Sequence, residues 1–213
     1  MKIICKNSYL LLVVCLVLAG CIPHSRHSIL TNPDADIRSS VEEISKHNND
    51  NANIVRKLPK KIGNMELYNV VDYTKRIIVG PDLGYGIFYD LKNNKKGSGN
   101  IFIYKRYNQH VDSGLSDGAL TELKVERRDI EHKDATNAPF SIVNYGDFKF
   151  YKMKFVTPPD RKNNQYDCYL FISGCNNIYL KTLFYYSMNS DYGEKETDIF
   201  MNSLVTLLNA TTK

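Results

Sequence analysis

The chain has 213 residues, with 28 Lys and Arg against 23 Asp and Glu, and 43% of its residues are apolar. That apolar content supports a packed core, so it excludes a wholly disordered chain, and it is too low for a protein that crosses a membrane many times. A chain of this length is expected to form one domain, alone or with a tail.

Residues 1–20 have the composition of a secretion signal. Lys2 and Lys6 form a basic start, and an uninterrupted apolar run follows from Tyr9 to Leu18. A bilayer-spanning helix needs roughly 20 apolar residues, so this run has instead the length of a signal-peptide core. The sequence predicts a signal peptide over residues 1–20 that is removed from the mature chain.

The apolar run ends in Leu18-Ala19-Gly20-Cys21, which resembles the lipobox of bacterial lipoproteins. The resemblance implies that Cys21 carries lipid (palmitate) and becomes the first mature residue. Two or more acyl chains hold a protein stably at a membrane. Because Ile22 is not Asp, the resemblance further implies an outer-membrane location facing the periplasm if the organism is Gram-negative. The alternative is an ordinary secretion signal that ends near a cysteine.

Residues 21–57 are predicted to be the lipidated cysteine and a flexible tether, because Ser, Asn, Asp and His dominate and aromatic residues are absent. Ile37, Val41 and Ile44 have helical spacing, but so short a helix is marginal without packing. Loss of the signal peptide lowers the formal charge from +5 to +3. Without a concentrated basic face, no nucleic-acid partner is expected.

Residues 58–213 are predicted to form a single globular domain, because β-branched and aromatic residues return there. The first three predicted strands cover residues 65–73, 84–91 and 100–107, and a polar turn over residues 92–99 makes the last two a hairpin. A helix capped by Ser116 is predicted over residues 116–133.

The second half of the domain adds four strands and a closing helix. The strands are predicted over residues 141–145, 148–156, 166–173 and 178–186, and an amphipathic helix over residues 197–209. Short turns between consecutive strands favour an antiparallel sheet. The expected fold class is therefore α+β, with an antiparallel sheet of about six to seven strands and two main helices packed on it.

Three apolar and glycine-containing motifs resemble a set of uncharacterised secreted bacterial domains. They are Leu83-Gly84-Tyr85-Gly86-Ile87, Asn100-Ile101-Phe102-Ile103-Tyr104 and Tyr169-Leu170-Phe171-Ile172-Ser173-Gly174. The order of elements is also similar to the Mog1/PsbP-like fold. The resemblance spans residues 58–210 and implies no catalytic residue, and a shared fold would not imply a function.

Cys168 and Cys175 are the cysteines that remain in the predicted domain. An oxidising periplasm permits a disulfide between them, but an extended chain would separate their Cα atoms by about 23 Å, at roughly 3.3 Å per residue. A disulfide needs about 7 Å or less, and the odd spacing points the two side chains to opposite faces. Two free buried thiols are therefore favoured over a disulfide.

The sequence predicts no metal site and no phosphate-binding loop. The five histidines are scattered, so no four-ligand metal set is expected, and the domain has no Ser-x-x-Lys. Gly97-Ser98-Gly99 lacks the lysine and helix of a phosphate loop. These observations favour a protein that is not an enzyme and needs no cofactor.

Tyrosine is the most distinctive residue type, with 15 copies and no Trp in the chain. Tyr166, Tyr179, Tyr186 and Tyr192 form a candidate interaction surface, since tyrosine is favoured at interfaces, with the core as the alternative location. The expected function is a membrane-anchored envelope lipoprotein with a binding or assembly domain and a protein partner. The alternatives are an immunity lipoprotein that neutralises a periplasm-delivered toxin, and an enzyme or small-ligand carrier with an unrecognised site.

Overall fold

A computed structural model describes residue 42 and residues 50–74, 84–91, 97–105, 111–131, 140–160, 162–175, 177–188 and 193–211. The helices are α1 Asp50–Lys57, α2 Asp117–Glu131 and α3 Gly193–Thr211. The strands are β1 Lys61–Ile62, β2 Met65–Asp72, β3 Tyr85–Leu91, β4 Gly97–Tyr104, β5 Phe140–Tyr145, β6 Phe148–Val156, β7 Tyr166–Cys175 and β8 Ile178–Ser187.

The strands form one antiparallel sheet in the order β1-β2-β3-β4-β8-β7-β6-β5. The α+β class and the antiparallel sheet are thereby confirmed, as is the predicted β3–β4 hairpin. The predicted strand count is wrong, because the described sheet has eight strands. The additional strand, β1, has two residues and pairs with β2 across a turn at Gly63, whose φ is +58°. Two residues are too few to show the alternation by which strands are recognised.

The helix count also exceeds the prediction of two main helices, because α1 is a third. Its Ala52 and Val55 are buried in the same core as α3. An eight-residue helix is marginal in isolation, so its stability comes from this packing. The C-terminal end of the segment interpreted as a tether therefore packs against the domain.

The two glycines of the predicted 92–99 turn lie in a strand. Gly97 and Gly99 belong to β4 and pair with Tyr186 and Phe184 of β8. A side chain at Gly99 would meet the Phe184 ring at 2.8 Å. These glycines therefore permit close packing of side chains over the strand, which is a second use of glycine besides turns.

Both faces of the sheet are covered, because the strand residues alternate between two cores. The α3-side core includes Phe171, Phe184 and Phe200 and receives α1 and α3. The α2-side core includes Leu123 of α2 together with Leu170 and Leu183 of the sheet. The predicted cap of α2 is confirmed, since the Ala119 amide donates to Ser116 Oγ at 3.1 Å. In the described part of the chain, no helix has the length and apolar character needed to cross a membrane.

Candidate binding surface

The last strand of the sheet order, β5, is an edge strand with exposed apolar side chains. Among the described strands it pairs with β6 alone. Phe140 is 40% exposed and Ile142 is 56% exposed, the largest value among the exposed large hydrophobic residues. None of its six residues, FSIVNY, is charged. Natural edge strands usually carry charges or prolines that discourage pairing with another chain, and described β5 lacks both.

Tyr145 fixes the C-terminal end of β5 to the α3-side core. Its ring lies 5.9 Å from the Phe171 ring, and its hydroxyl donates to Asp198 Oδ1 of α3 at 2.6 Å. Burial raises the pKa of Tyr145 above its ordinary value, and the hydrogen bond to Asp198 raises it further. The strand then turns into β6 at Gly146, whose φ is +55°, a value that favours glycine.

The other face of β5 is less well covered. Alternation places Phe140 and Ile142 opposite Tyr145, on the α2 side of the sheet. The Phe140 ring packs edge-to-face on Tyr151 of β6, with 5.9 Å between centroids. Because that contact covers only one side of the ring, Phe140 and Ile142 together form an exposed apolar strip, which we call the β5 strip.

A shallow open groove of about 510 Å³ lies beside the strand turns. It is lined by the 113–115 loop, the 147–149 turn, Gly174 and Cys175. The loop is held by two reciprocal backbone hydrogen bonds between Gly114 and Gly174, at 2.8 and 2.9 Å. Burial raises the pKa of the Cys175 thiol, which disfavours the nucleophilic thiolate. The groove therefore lacks an activated nucleophile at this cysteine.

The charged groups buried under α2 are paired with the sheet. Lys181 of β8 donates to Glu126 of α2 at 2.7 Å, and Tyr104 of β4 donates to Glu122 of α2 at 2.6 Å. These contacts join α2 to two neighbouring strands, which gives them a structural role. Within the described residues, no group of three or more His, Cys, Asp or Glu side chains could hold a metal ion; the five histidines lie outside that part.

Two of the four tyrosines of the predicted interaction surface are buried in the domain. Tyr179 and Tyr186 are 1% and 0% exposed and lie in opposite cores, so both are removed from any interaction surface of the folded domain. Tyr166 is half-buried against the α2-side core, and Tyr192 lies outside the described residues. Both residues are buried because each face of β8 lies in one of the two cores, Tyr186 in the α3-side core and Tyr179 in the α2-side core.

Of the cysteines singled out in the sequence, the structure describes Cys168 and Cys175. Cys168 and Cys175 are both buried and form no disulfide with each other, and they lie on one strand, β7, with their side chains in opposite cores. This geometry rules out a bond between them without rebuilding the strand. Cys21 and the lipobox lie outside the described residues.

Sequence reasoning missed Phe140 and Ile142 as surface residues. The predicted strand began at residue 141, one residue after the Phe140 that opens β5. A signal was present, since β5 has no charge whereas β6, FKFYKMKFV, contains three lysines. That contrast becomes informative only when β5 is known to be the edge. The chain matches no protein-family model, and its sequence matches no curated protein.

Proposed function

We propose that this chain is a lipoprotein of the cell envelope whose α+β domain is a binding module without catalytic activity. The Leu18-Ala19-Gly20-Cys21 motif supports the anchor at Cys21, and two or more acyl chains would retain the protein at a membrane. In a Gram-negative cell it would face the periplasm from the outer membrane. The antiparallel sheet with helices supports a Mog1/PsbP-like assignment, which carries no function by itself.

The exposure of Ile142 on an uncharged edge strand is the observation that carries the binding role. An unpaired edge offers backbone donors and acceptors to an incoming strand, and the flanking side chains determine which strand fits. Single exposed apolar residues are common and need no explanation. Phe140 and Ile142 are instead neighbours on one face of the edge, so an added strand would cover both.

A binding role is favoured over catalysis by the pairing of the charged groups that are buried under α2. Lys181, Glu126 and Glu122 all have hydrogen-bond partners within the domain, so their charges are used in packing α2 on the sheet. The Cys175 thiol, beside the groove, has its pKa raised by burial. Catalytic nucleophiles are normally activated in the opposite direction.

The anchor is tested by metabolic labelling with palmitate in a bacterial host. The full chain should incorporate label, and Cys21→Ser should incorporate none, because the acylated sulfur is absent. A Cys168→Ser variant controls for lipid on another cysteine and should label like the wild type. Equal labelling of wild type and Cys21→Ser would refute the lipoprotein assignment.

The binding surface is tested by chemical crosslinking in intact cells. Wild type, Ile142→Asp and Met188→Asp are compared, because Met188 is a similarly exposed apolar residue that follows β8, three strands from β5. A crosslinked product should disappear with Ile142→Asp and persist with Met188→Asp. The same products from all three chains, or none from any, would contradict a binding role for β5.

A further inference from the structure

The edge strand β5 has features that allow it to pair with the β5 of a second copy of the chain. In an antiparallel pair of identical strands related by a two-fold axis, the two residue numbers of every opposite pair have the same sum. Like charges directly opposite each other destabilise such a pair. Since FSIVNY has no charged residue, two copies of β5 meet without that repulsion.

The β5 strip determines the register of such a pair. With Ile142 opposite Ile142 of the second copy, Ser141 lies opposite Val143 and Phe140 opposite Asn144, which retains five residue pairs within the strand bounds. Phe140 is then diagonal to the second Ile142, at about 7–8 Å, a distance that an aromatic ring can bridge. Four apolar side chains gather on the α2 side of the joined sheets.

We propose that the partner of β5 is a second copy of this chain, joined through antiparallel β5–β5 pairing centred on Ile142. This inference rests on the proposed function, because it names the occupant of the same strip. One short strand buries less than the roughly 1,200–2,000 Å² of a stable interface, so the pair is weak in free solution. Anchoring at a membrane raises the local concentration of copies and favours a weak pair.

Site-directed disulfide trapping tests both the pairing and its register. The full chain carrying Ile142→Cys is expressed, its membranes are treated with a mild oxidant, and the product is separated without reductant. Directly opposite residues have Cα atoms about 4.5–5.5 Å apart, within disulfide range. Ile142→Cys should therefore give a covalent dimer at a level several-fold above that of the wild-type chain.

Two matched variants separate pairing from random collision. Ser141→Cys lies one residue away in the same strand, but in this register the two introduced sulfurs are diagonal and belong to Cα atoms about 7–8 Å apart. Met188→Cys provides an exposed thiol remote from β5. Both should give several-fold less dimer than Ile142→Cys. Equal dimer from Ile142→Cys and Met188→Cys would overturn the pairing, and equal dimer from Ser141→Cys would overturn the register.

The outcomes also separate this inference from the function on which it rests. If Ile142→Cys gives no dimer while Ile142→Asp still removes a crosslinked product with another protein, self-pairing is refuted and the binding function stands. If no dimer forms and no product depends on Ile142, both are refuted. Circular dichroism of each variant should match the wild type, because residue 142 is exposed, and this comparison excludes loss of folding as the cause.

Discussion

The ion pair between Lys181 on β8 and Glu126 on α2 holds two layers of the domain together. The Lys181 Nζ and Glu126 Oε1 atoms are 2.7 Å apart, and the two side chains are 7% and 13% exposed. The ammonium also lies 5.1 Å from the Phe102 ring centroid. Removal of either partner leaves the other charge in a site with little access to water.

The expected losses of stability differ between the two single variants. Lys181→Met leaves the Glu126 carboxylate without its ion-pair partner and should lower the free energy of unfolding by about 3 kcal/mol. Glu126→Gln leaves an ammonium that keeps its aromatic neighbour, worth about 1 kcal/mol, so we expect a loss of about 2 kcal/mol. The double variant should lose clearly less than the sum of the two single losses, because neither charge of the pair remains buried without its partner.

Urea denaturation of the full chain, followed by circular dichroism, measures these differences. Glu194→Gln is the matched control, because Glu194 pairs with Lys152 at 2.6 Å but is 60% exposed, and it should cost less than about 1 kcal/mol. Additive losses in the Lys181→Met/Glu126→Gln variant would refute the pairing. Losses no larger than that of Glu194→Gln would show that water screens the buried pair.

Three further predictions concern other contacts of the fold. Tyr145→Phe removes the hydrogen bond to Asp198 and should lower the free energy of unfolding by about 1–2 kcal/mol in urea denaturation. Because folding raises the pKa of Tyr145 above its ordinary value of 10.0, the contribution of Tyr145 to stability should be complete below pH 10 and be lost above it. The free energy of unfolding should therefore fall less steeply above pH 10 in Tyr145→Phe than in the wild type. Gly174→Ala places a Cβ 1.9 Å from the Asp112 carbonyl oxygen. This substitution should break the two backbone hydrogen bonds between Gly114 and Gly174 and lower the free energy of unfolding by about 2 kcal/mol. A melting temperature equal to that of the wild type would contradict the close contact. The two β7 thiols, both buried, should react with a maleimide only after unfolding, and reaction in the folded chain would refute their burial.

Local chemistry was sufficient to predict most of the described elements. Aromatic and β-branched residues between turn signals indicated β2 to β8, and Ser116 was recognisable as a cap because its hydroxyl can accept an amide hydrogen bond of the first turn. The odd separation of Cys168 and Cys175 likewise indicated opposite faces. Each of these inferences depends on neighbours in the chain, so the sequence alone was enough.

The order of the strands and the coverage of the faces were decided only in the tertiary structure. Alternation says that Tyr179 and Tyr186 point to opposite sides, but it does not say that helices cover both sides and bury both residues. The sequence of β5 shows an uncharged strand, and only the sheet order makes it an edge with Ile142 in water. The physical reason is that exposure depends on which distant segments pack nearby, and no local pattern contains that information.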